Sequence, residues 1–256
     1  MKFLSIIIPC YNEEVNLQKG VLFRINDFLT KQTYSWEVVI VDDGSTDKSI
    51  SRIEIFIATH KGFKLLKNNH QGKAQAVISG VHKAVGDVIL FADMDQATPI
   101  EEINKLLPFI RKNFDVVIGS RNNIREGAPF LRLIMARGFI FLRCLILGLN
   151  NISDTQCGFK LFSKQAAKEI FGRLRLYETS QKKISGPMVT AGFDVEILYL
   201  ARKLEFKIKE VSVFWHYVET RRVNPVSESI NGLMDMIRLK INDWHGLYES
   251  NETNVK

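Results

Sequence analysis

The sequence has 256 residues, 46% of them hydrophobic, and its 35 basic and 28 acidic side chains give a net charge of +7. A chain of this length and composition can bury a large core in one α/β domain, and its positive charge suits a nucleic acid, a phosphorylated small molecule or an anionic membrane surface. The three cysteines are too few and too scattered for a disulfide framework or a zinc site, which favours a reducing compartment.

The first half of the chain alternates between apolar runs and segments with helical spacing. Apolar runs predict strands over residues 4–9, 36–43, 63–68, 87–93 and 115–121. Helical spacing predicts helices over residues 13–32, 47–60, 71–84 and 99–113. Strands that are apolar throughout are buried on both faces, so we expect a Rossmann-like, mostly parallel sheet with helices on both faces. In such a sheet ligands bind beyond the carboxyl ends of the strands.

The second half of the chain opens with a very apolar segment, residues 129–149, that contains three arginines and two glycines. The arginines argue against a membrane span, so we expect either a helix lying in a bilayer interface or a buried core helix. The later elements are a strand and a helix within 160–171, a helix over 192–204, a strand over 207–218 and a helix over 226–242. We expect one domain over residues 1–245 and a disordered tail over 246–256.

Polar residues follow three of the predicted strands. They are Tyr11-Asn12-Glu13-Glu14, Asp42-Asp43-Gly44-Ser45 and Asp93-Met94-Asp95-Gln96. Loops at one edge of a parallel sheet converge, so these acids would repel one another unless a cation or hydrogen-bond donors balance them. Two acids with Gln96 at the end of a buried strand favour a Mg²⁺ or Mn²⁺ ion shared with phosphates. The alternative for Asp95 is an N-cap of the helix that Pro99 opens.

The segment from Asp42 to Asp47 predicts a strand end followed by a tight turn in which Gly44 supplies backbone freedom. One of the polar residues after Gly44 can cap the next helix, but capping leaves Asp42 unexplained. An acid at this position can hold a ribose hydroxyl or a base N–H. No G-x-G-x-x-G follows any predicted strand and there is no P-loop, so the dinucleotide fingerprint is excluded.

Several motifs together resemble a known family, the family 2 glycosyltransferases, in their order and spacing. These are IIIPCYNEE, VIVDDGSTDKS, NHQGKAQAV, the D-x-D of FADMDQATP, and VIGSR. In the second half, DTQCGFKLF and GFDVEILYLARKL resemble more narrowly the dolichyl-phosphate β-glucosyltransferases, with dolichyl-phosphate mannosyltransferases the next closest group. The resemblance covers nearly the whole chain and implies the A-type nucleotide-sugar fold; DTQCGFKLF is its most specific string.

The resemblance also implies roles for individual residues. The implied donor-binding residues are Pro9, Tyr11, Asn12, Glu13, Asp42, Gly72, Lys73, Asp93, Met94 and Asp95. The implied metal ligands are Asp93, Asp95 and Gln96. The implied acceptor-phosphate residues are Arg121, Arg132 and Arg137. The implied catalytic residues are Asp93, Asp95, Arg121, Asp154 and Asp194. The family places Asp154, Gln156 and Gly158 in the loop beside the sugar. Asp194 and Glu196 match the acidic helix start that follows, and helix capping is the alternative role for Asp194.

The implied reaction is a metal-dependent, inverting transfer of glucose from UDP-glucose to a dolichyl or polyprenyl phosphate, with Mg²⁺ or Mn²⁺ stabilising the departing diphosphate. A lipid phosphate is ionised at neutral pH and needs little or no general base. A hydroxyl acceptor would need one, and Asp154 or Asp194 could serve.

Four alternatives to this reaction remain open. One is the same transfer from GDP-mannose, and another is transfer to a glycan or protein hydroxyl. A catalytically idle nucleotide-sugar binding module is a third, and the intact Asp93 and Asp95 argue against it. A nucleic-acid binder is the least favoured, because no predicted strand face interleaves aromatic and basic residues.

The expected location is the cytoplasm, peripheral at the cytoplasmic face of a membrane. The apolar run near the N-terminus ends at Pro9 and lacks a cleavage site, so it predicts a strand and not a signal peptide. Many relatives carry transmembrane helices at one end, and this sequence contains no such segment. Arg221 and Arg222 stand where the related enzymes tend to have a small residue and a lysine, which leaves their role open.

Overall fold

A computed structural model describes residues 3–121, 138, 140, 142–150, 152–177, 191–216 and 225–249. The strands are β1 (Leu4–Cys10), β2 (Trp36–Asp42), β3 (Phe63–Lys67), β4 (Val88–Ala92), β5 (Val116–Arg121), β6 (Phe159–Ser163) and β7 (Ile208–Val213). They form one sheet in the order β3-β2-β1-β4-β6-β5-β7. Strand β6 runs antiparallel to β4 and β5, and the remaining pairs are parallel, which confirms the mostly parallel sheet.

Helices cover both faces of this sheet. They are α1 (Glu14–Gln18), α2 (Val21–Thr30), α3 (Ser49–Thr59), α4 (Lys73–Lys83), α5 (Ile103–Arg111), the helical residues 142–147 (α6), α7 (Lys164–Phe171), α8 (Ala191–Lys203) and α9 (Pro225–Trp244). Side chains of β1 alternate between two apolar clusters: Ile6 and Ile8 pack with α2, α3 and α5, and Ile7 packs with α4, α7 and α8. The strands are thus buried on both faces, as their unbroken apolar runs predict.

The helix predicted over residues 13–32 is in fact two helices, α1 and α2. Gly20 separates them with φ +77°, a left-handed conformation that ends one helix and precedes the next. Apolar spacing continues across this break, because Leu17 and Val21 both contribute to the same side of the sheet, and the pattern alone therefore concealed it.

The ends of two C-terminal elements also differ from prediction. Strand β7 ends at Val213 rather than at residue 218, and residues 214–216 continue as a loop; residues 217–224 lie outside the described residues. Tyr248 is buried and donates a hydrogen bond to Glu196 (2.7 Å), so the packed chain extends beyond residue 245. Residues 250–256 of the predicted tail lie outside the described residues.

The apolar segment 129–149 is described only in part, and Arg132 and Arg137 lie outside that part. In α6, Arg143 is buried and donates to the Thr155 hydroxyl (3.0 Å) and to the Ile152 carbonyl. At this residue the structure agrees with the buried-helix alternative, because the guanidinium of Arg143 serves the following loop. None of the helices in the described ranges combines the length and apolar character that a bilayer crossing requires.

Candidate functional site

The loops that follow β1 and β2 are joined by hydrogen bonds at the carboxyl edge of the sheet. The backbone N–H of Asn12 donates to the Ser45 hydroxyl (2.9 Å), and that of Glu13 donates to the Ser49 hydroxyl (2.8 Å). These two strands are neighbours, with Cys10 paired to Asp42 at their ends. The predicted convergence of the polar loops at one edge is confirmed for this pair.

Asn12 shapes the turn that follows β2. It adopts φ +54°, which asparagine tolerates better than most residues, and its side-chain oxygen accepts the N–H groups of Thr46 (2.8 Å) and Asp47 (3.3 Å). The resemblance implied donor binding for this residue. Because its amide oxygen is engaged by the turn, Asn12 contributes to a ligand site chiefly by fixing the loop.

Asp42 combines a structural contact with an unsatisfied oxygen. Its Oδ2 accepts the N–H groups of Gly44 (3.0 Å) and Ser45 (3.1 Å), the bonding of an Asx turn. Its Oδ1 is buried and has no hydrogen-bond partner in the described structure. A buried acceptor without a donor is costly, and a ligand N–H or O–H placed there would remove that cost.

Asp43 organises the loop before α4, a function that the sequence pattern did not indicate. Its carboxylate accepts the backbone N–H groups of Gln71 (2.9 Å) and Gly72 (2.8 Å) and the Nδ1–H of His70 (2.8 Å). A carboxylate only accepts, so Nδ1 of His70 carries a hydrogen, and the buried Nε2 has no hydrogen-bond partner in the described ranges. The His70 ring stacks on Tyr11 at a centroid distance of 4.1 Å.

Lys73 at the start of α4 pairs with the first acid of the D-x-D motif. Its Nζ lies 2.6 Å from an oxygen of Asp93 and 5.2 Å from the centre of the Phe91 ring. Burial alone would lower the pKa of Lys73, but the charges of Asp93 and Asp194 outweigh burial and raise it. The ammonium therefore stays charged beside the carboxylates.

The second acid of the motif lies in a more unfavourable electrostatic environment. Burial and then the charge of Asp93 raise the pKa of Asp95, whose Oδ1 accepts the N–H of Ala97 (3.0 Å). Burial and the charges of Asp95 and Asp93 likewise raise the pKa of Glu13. Burial is the largest cause of both shifts and repulsion from the neighbouring carboxyl groups adds to it, so added positive charge would stabilise the ionised forms of Asp95 and Glu13.

The neighbours of this pair act mainly through the backbone. Gln96 adopts φ +50° and donates its side-chain amide to the Asp93 carbonyl (2.9 Å), so it braces the turn that the two acids share. Met94 is buried in the core cluster and Pro9 lies within β1, so neither side chain is displayed at the loop surface. Within the described residues, no three His, Cys, Asp or Glu side chains gather closely enough to hold a metal by themselves.

The DTQCG loop passes directly against the D-x-D acids. A Cβ atom on Gly158 would lie 2.0 Å from an oxygen of Asp93, closer than any real contact, so only glycine lets the two segments approach this way. The Thr98 hydroxyl lies 3.9 Å from the Cys157 sulfur in the same region. The resemblance implied that this loop lies beside the sugar, and the structure brings it within contact of Asp93.

Arg121 and Asp154 form a two-pronged ion pair. The Nε of Arg121 donates to one oxygen of Asp154 (2.7 Å), a terminal guanidinium nitrogen donates to the other (2.8 Å), and the Arg121 backbone N–H donates as well (3.0 Å). Burial alone would raise the pKa of Asp154, but Arg121 outweighs burial and holds that pKa below its usual range. The guanidinium also lies 5.7 Å from the centre of the Trp215 ring.

Lys160, the second residue of β6, contacts both Asp194 and the DTQCG loop, and the sequence reasoning missed it. It is fully buried, and its Nζ donates to the Cys157 carbonyl (2.6 Å) and to the Asp194 carboxylate. A lysine inside an apolar strand is seldom buried without a partner acid, which is the signal that was available in FKLF. Asp194 lies in the first turn of α8, and its carboxylate serves this pair.

Glu196 lies in α8 with Asp194, as the resemblance implied, but its side chain bonds to a different set of groups. It is buried, and its Oε1 accepts the backbone N–H groups of Arg175 (2.8 Å) and Leu176 (3.0 Å) together with the Tyr248 hydroxyl. Burial raises its pKa. Arg132, Arg137, Arg221 and Arg222 lie outside the described residues.

Residues 5–171 match the model of the family described as Glycosyl transferase family 2. A dolichyl-phosphate beta-glucosyltransferase of Dictyostelium discoideum is 32% identical over 265 residues, which cover 96% of this chain and 76% of that protein.

Two solved structures share the fold at low sequence identity. Mannosyl-3-phosphoglycerate synthase from Rubrobacter xylanophilus matches with a TM-score of 0.68 and 15% identity, over 100% of this chain and 79% of that one. Glucosyl-3-phosphoglycerate synthase from Mycobacterium tuberculosis, in complex with Mn²⁺, UDP and glucosyl-3-phosphoglycerate, matches with a TM-score of 0.58 and 16% identity, over 93% and 80%. These likenesses confirm the expected A-type fold.

Proposed function

This chain belongs to glycosyl transferase family 2, and from that premise we propose that it transfers glucose from UDP-glucose to a dolichyl or polyprenyl phosphate at the cytoplasmic face of a membrane. The observation that carries the site assignment is the position of Asp93 and Asp95 directly after β4, with the Lys73 ammonium 2.6 Å from Asp93 and with the β1 and β2 loops joined at the same edge of the sheet. The glucose and the lipid phosphate are taken from the relative's own activity. Residues 1–245, with Tyr248 packed against Glu196 just beyond them, would form the catalytic domain.

The carboxylates fit a divalent ion that is shared with the donor diphosphate. Asp93 and Asp95 supply hard oxygen ligands, which Mg²⁺ and Mn²⁺ prefer, and such ions commonly take only one or two carboxylates when substrate phosphates complete their coordination. Burial and then the charge of Asp93 raise the pKa of Asp95, so a bound cation would stabilise its ionised form. When bound, the ion would stabilise the charge that develops on the departing diphosphate.

The donor nucleotide would lie along the edge formed by the β1, β2 and β4 loops. The unsatisfied Oδ1 of Asp42 would accept a hydrogen bond from the nucleoside, and Asn12 and Asp43 would keep the surrounding loops in place. Lys73 carries its positive charge beside Asp93 and would face the diphosphate. GDP-mannose is the alternative donor.

The ion pairs of the second half favour a phosphate acceptor over a hydroxyl. A hydroxyl needs a general base, but Asp154 is bound through both oxygens to Arg121 and has a lowered pKa, and Asp194 is bound to Lys160. A phosphate monoester is already ionised and needs none. Arg121 donates two of its five side-chain N–H groups to Asp154, so its remaining N–H groups can bind an acceptor phosphate.

The test is a transfer assay with purified protein. We would supply Mn²⁺ or Mg²⁺, a short polyprenyl phosphate in detergent, and UDP-glucose or GDP-mannose in parallel reactions, and measure lipid-linked sugar by mass spectrometry. Glucosyl lipid from UDP-glucose alone is the expected result. Product from GDP-mannose alone would show that the transferred sugar is mannose. If the donor is hydrolysed without lipid product and sugar is transferred to an added glycan hydroxyl, the proposed lipid acceptor is wrong.

A further inference from the structure

Helix α9 exposes a continuous apolar stripe. Met234, Ile237, Ile241 and Trp244 are 46%, 42%, 47% and 87% exposed, and their spacing of three, four and three residues puts them on one face of the helix. Single exposed apolar residues are ordinary, but four in line on one helix mark a surface that is covered in the working protein.

The opposite face of α9 fixes how this stripe is presented. Met236 and Leu239 are buried in the core, and Asp235 accepts the Tyr177 hydroxyl (3.1 Å). The helix packs on α8, and Lys203 of α8 forms an ion pair with Asp243. The stripe is therefore the outer side of a well-anchored helix, because the inner side already has its own partners.

The charges that flank the stripe are positive. With 3.6 residues per turn, Arg238 and Lys240 fall on opposite sides of it, and both are exposed. Arg238 lies 3.5 Å from Asp235, an ion pair that leaves 65% of the arginine side chain exposed. The acids Asp235 and Asp243 are turned toward the protein, so the outer surface combines apolar and basic groups.

We propose that this stripe binds the interface of an anionic lipid bilayer, an inference that rests on the proposed function because that function requires a lipid acceptor. Apolar side chains that include an exposed tryptophan, bordered by basic residues, are the composition of helices that lie in a membrane interface. Anionic headgroups would complement Arg238 and Lys240.

A second copy of the chain fits the stripe less well. The stripe extends about 15 Å along one helix that is about 10 Å wide, so it offers about 150 Å², far less than the roughly 800 Å² per partner that a stable interface buries. Pairing two stripes would also bring basic flanks together, since both of its borders are positive.

The location of the stripe agrees with delivery of a lipid substrate. Gly192 and Val195 of α8, with Asp235 of α9 and Gln156 of the DTQCG loop, line one small cleft beneath the stripe. Asp194 lies between the two α8 residues. A bilayer bound to the outer face of α9 would therefore lie one helix away from the segments that we assign to the acceptor side.

The test is co-sedimentation of the full chain with vesicles of phosphatidylcholine, with and without phosphatidylserine. A double variant, Ile241→Asp with Trp244→Asp, should lower the bound fraction about tenfold or more. The matched control is Ile55→Asp on α3, since Ile55 is 73% exposed but is not part of an apolar stripe; it should bind like the wild type. Arg238→Gln with Lys240→Gln should remove the preference for phosphatidylserine.

Thermal unfolding of each variant would verify that it is folded. Transfer to a short polyprenyl phosphate in detergent needs no bilayer, so the double variant should keep that activity. If the wild type is inactive in transfer but sediments with vesicles, and the double variant does not sediment, the proposed function is rejected and the membrane-binding surface is supported. Equal sedimentation of the double variant and the wild type, or no sedimentation of the wild type, would overturn the proposal. So would a wild-type dimer that the double variant converts to a monomer.

Discussion

The acids at the end of β4 and the acids of the second half have opposite electrostatic surroundings. Asp95 and Glu13 face Asp93 with Lys73 as the nearby cation, and the pKa of each is raised. Asp154 and Asp194 instead have a cation apiece, Arg121 and Lys160. Among the described residues, Asp95 and Glu13 form no ion pair and could bind a cation from a ligand, whereas Asp93, Asp154 and Asp194 each have a cation within the protein.

This contrast separates two uses of the same residue type. A carboxylate with its own buried cation holds loops and strands in place, and removing the cation exposes a large desolvation cost. A carboxylate close to other carboxylates lowers the stability of the folded protein, but it can bind a cation that relieves the repulsion. Stability and ligand binding should therefore respond in opposite ways when the two groups are mutated.

Lys160→Met should produce the largest loss of stability. The substitution leaves the Asp194 carboxylate without its cation in a buried setting, and breaking such a pair typically costs about 3 to 5 kcal/mol. Urea unfolding followed by circular dichroism measures the loss. The double variant Lys160→Met with Asp194→Leu should recover much of it, and a double variant as unstable as the single one would show that Lys160 contributes by packing instead.

Asp154→Asn should cost less, about 2 to 3 kcal/mol, because Arg121 keeps part of its surface in water. The pKa of Asp154 is lowered in the folded protein, so its stabilising effect is fully present above the ordinary carboxyl value of about 3.9 and is lost as the pH falls through the folded value. Unfolding measured at neutral pH and near pH 3 should show the gap between wild type and variant shrinking in acid. A gap that does not depend on pH would contradict this account.

Asp43→Ala tests the contrast between structural and ligand-binding carboxylates among the loops proposed to bind the donor. Asp43 lies beside Asp42 but accepts three donors, so its removal should leave the N–H groups of Gln71 and Gly72 unsatisfied and cost about 1 to 3 kcal/mol. Thermal unfolding measures this loss, and His70 should lose its fixed ring orientation, visible as a changed imidazole resonance. An unchanged melting temperature would place Asp43 with the ligand-binding acids.

Asp95→Asn should have the smallest effect on stability, within about 1 kcal/mol and in favour of the variant. The pKa of Asp95 is raised in the folded protein, so its ionised form destabilises at neutral pH, and this penalty disappears as the pH falls below the ordinary carboxyl value. The asparagine oxygen can still accept the Ala97 N–H. Metal-free protein unfolded in urea tests this, and a loss of several kcal/mol would assign Asp95 a structural role.

The elements that the sequence predicted well are those determined by local pattern. Unbroken apolar runs identified the buried strands, and the D-x-D motif identified the acids at the end of β4. Roles that depend on distant partners were missed: Lys160 and Asp194 are 34 residues apart, and Asp43 acts on a loop 27 to 29 residues away. The antiparallel direction of β6 also depends on the long connection before it, which no local pattern encodes.

The most direct test of the central claim is isothermal titration calorimetry of Mn²⁺ binding in the presence of UDP. The proteins compared are the wild type, Asp95→Asn and Asp154→Asn. The account predicts saturable binding to the wild type, little or none to Asp95→Asn, and wild-type affinity for any Asp154→Asn protein that remains folded. Equal binding by the wild type and Asp95→Asn would contradict the claim that Asp93 and Asp95 at the end of β4 form the metal and diphosphate site.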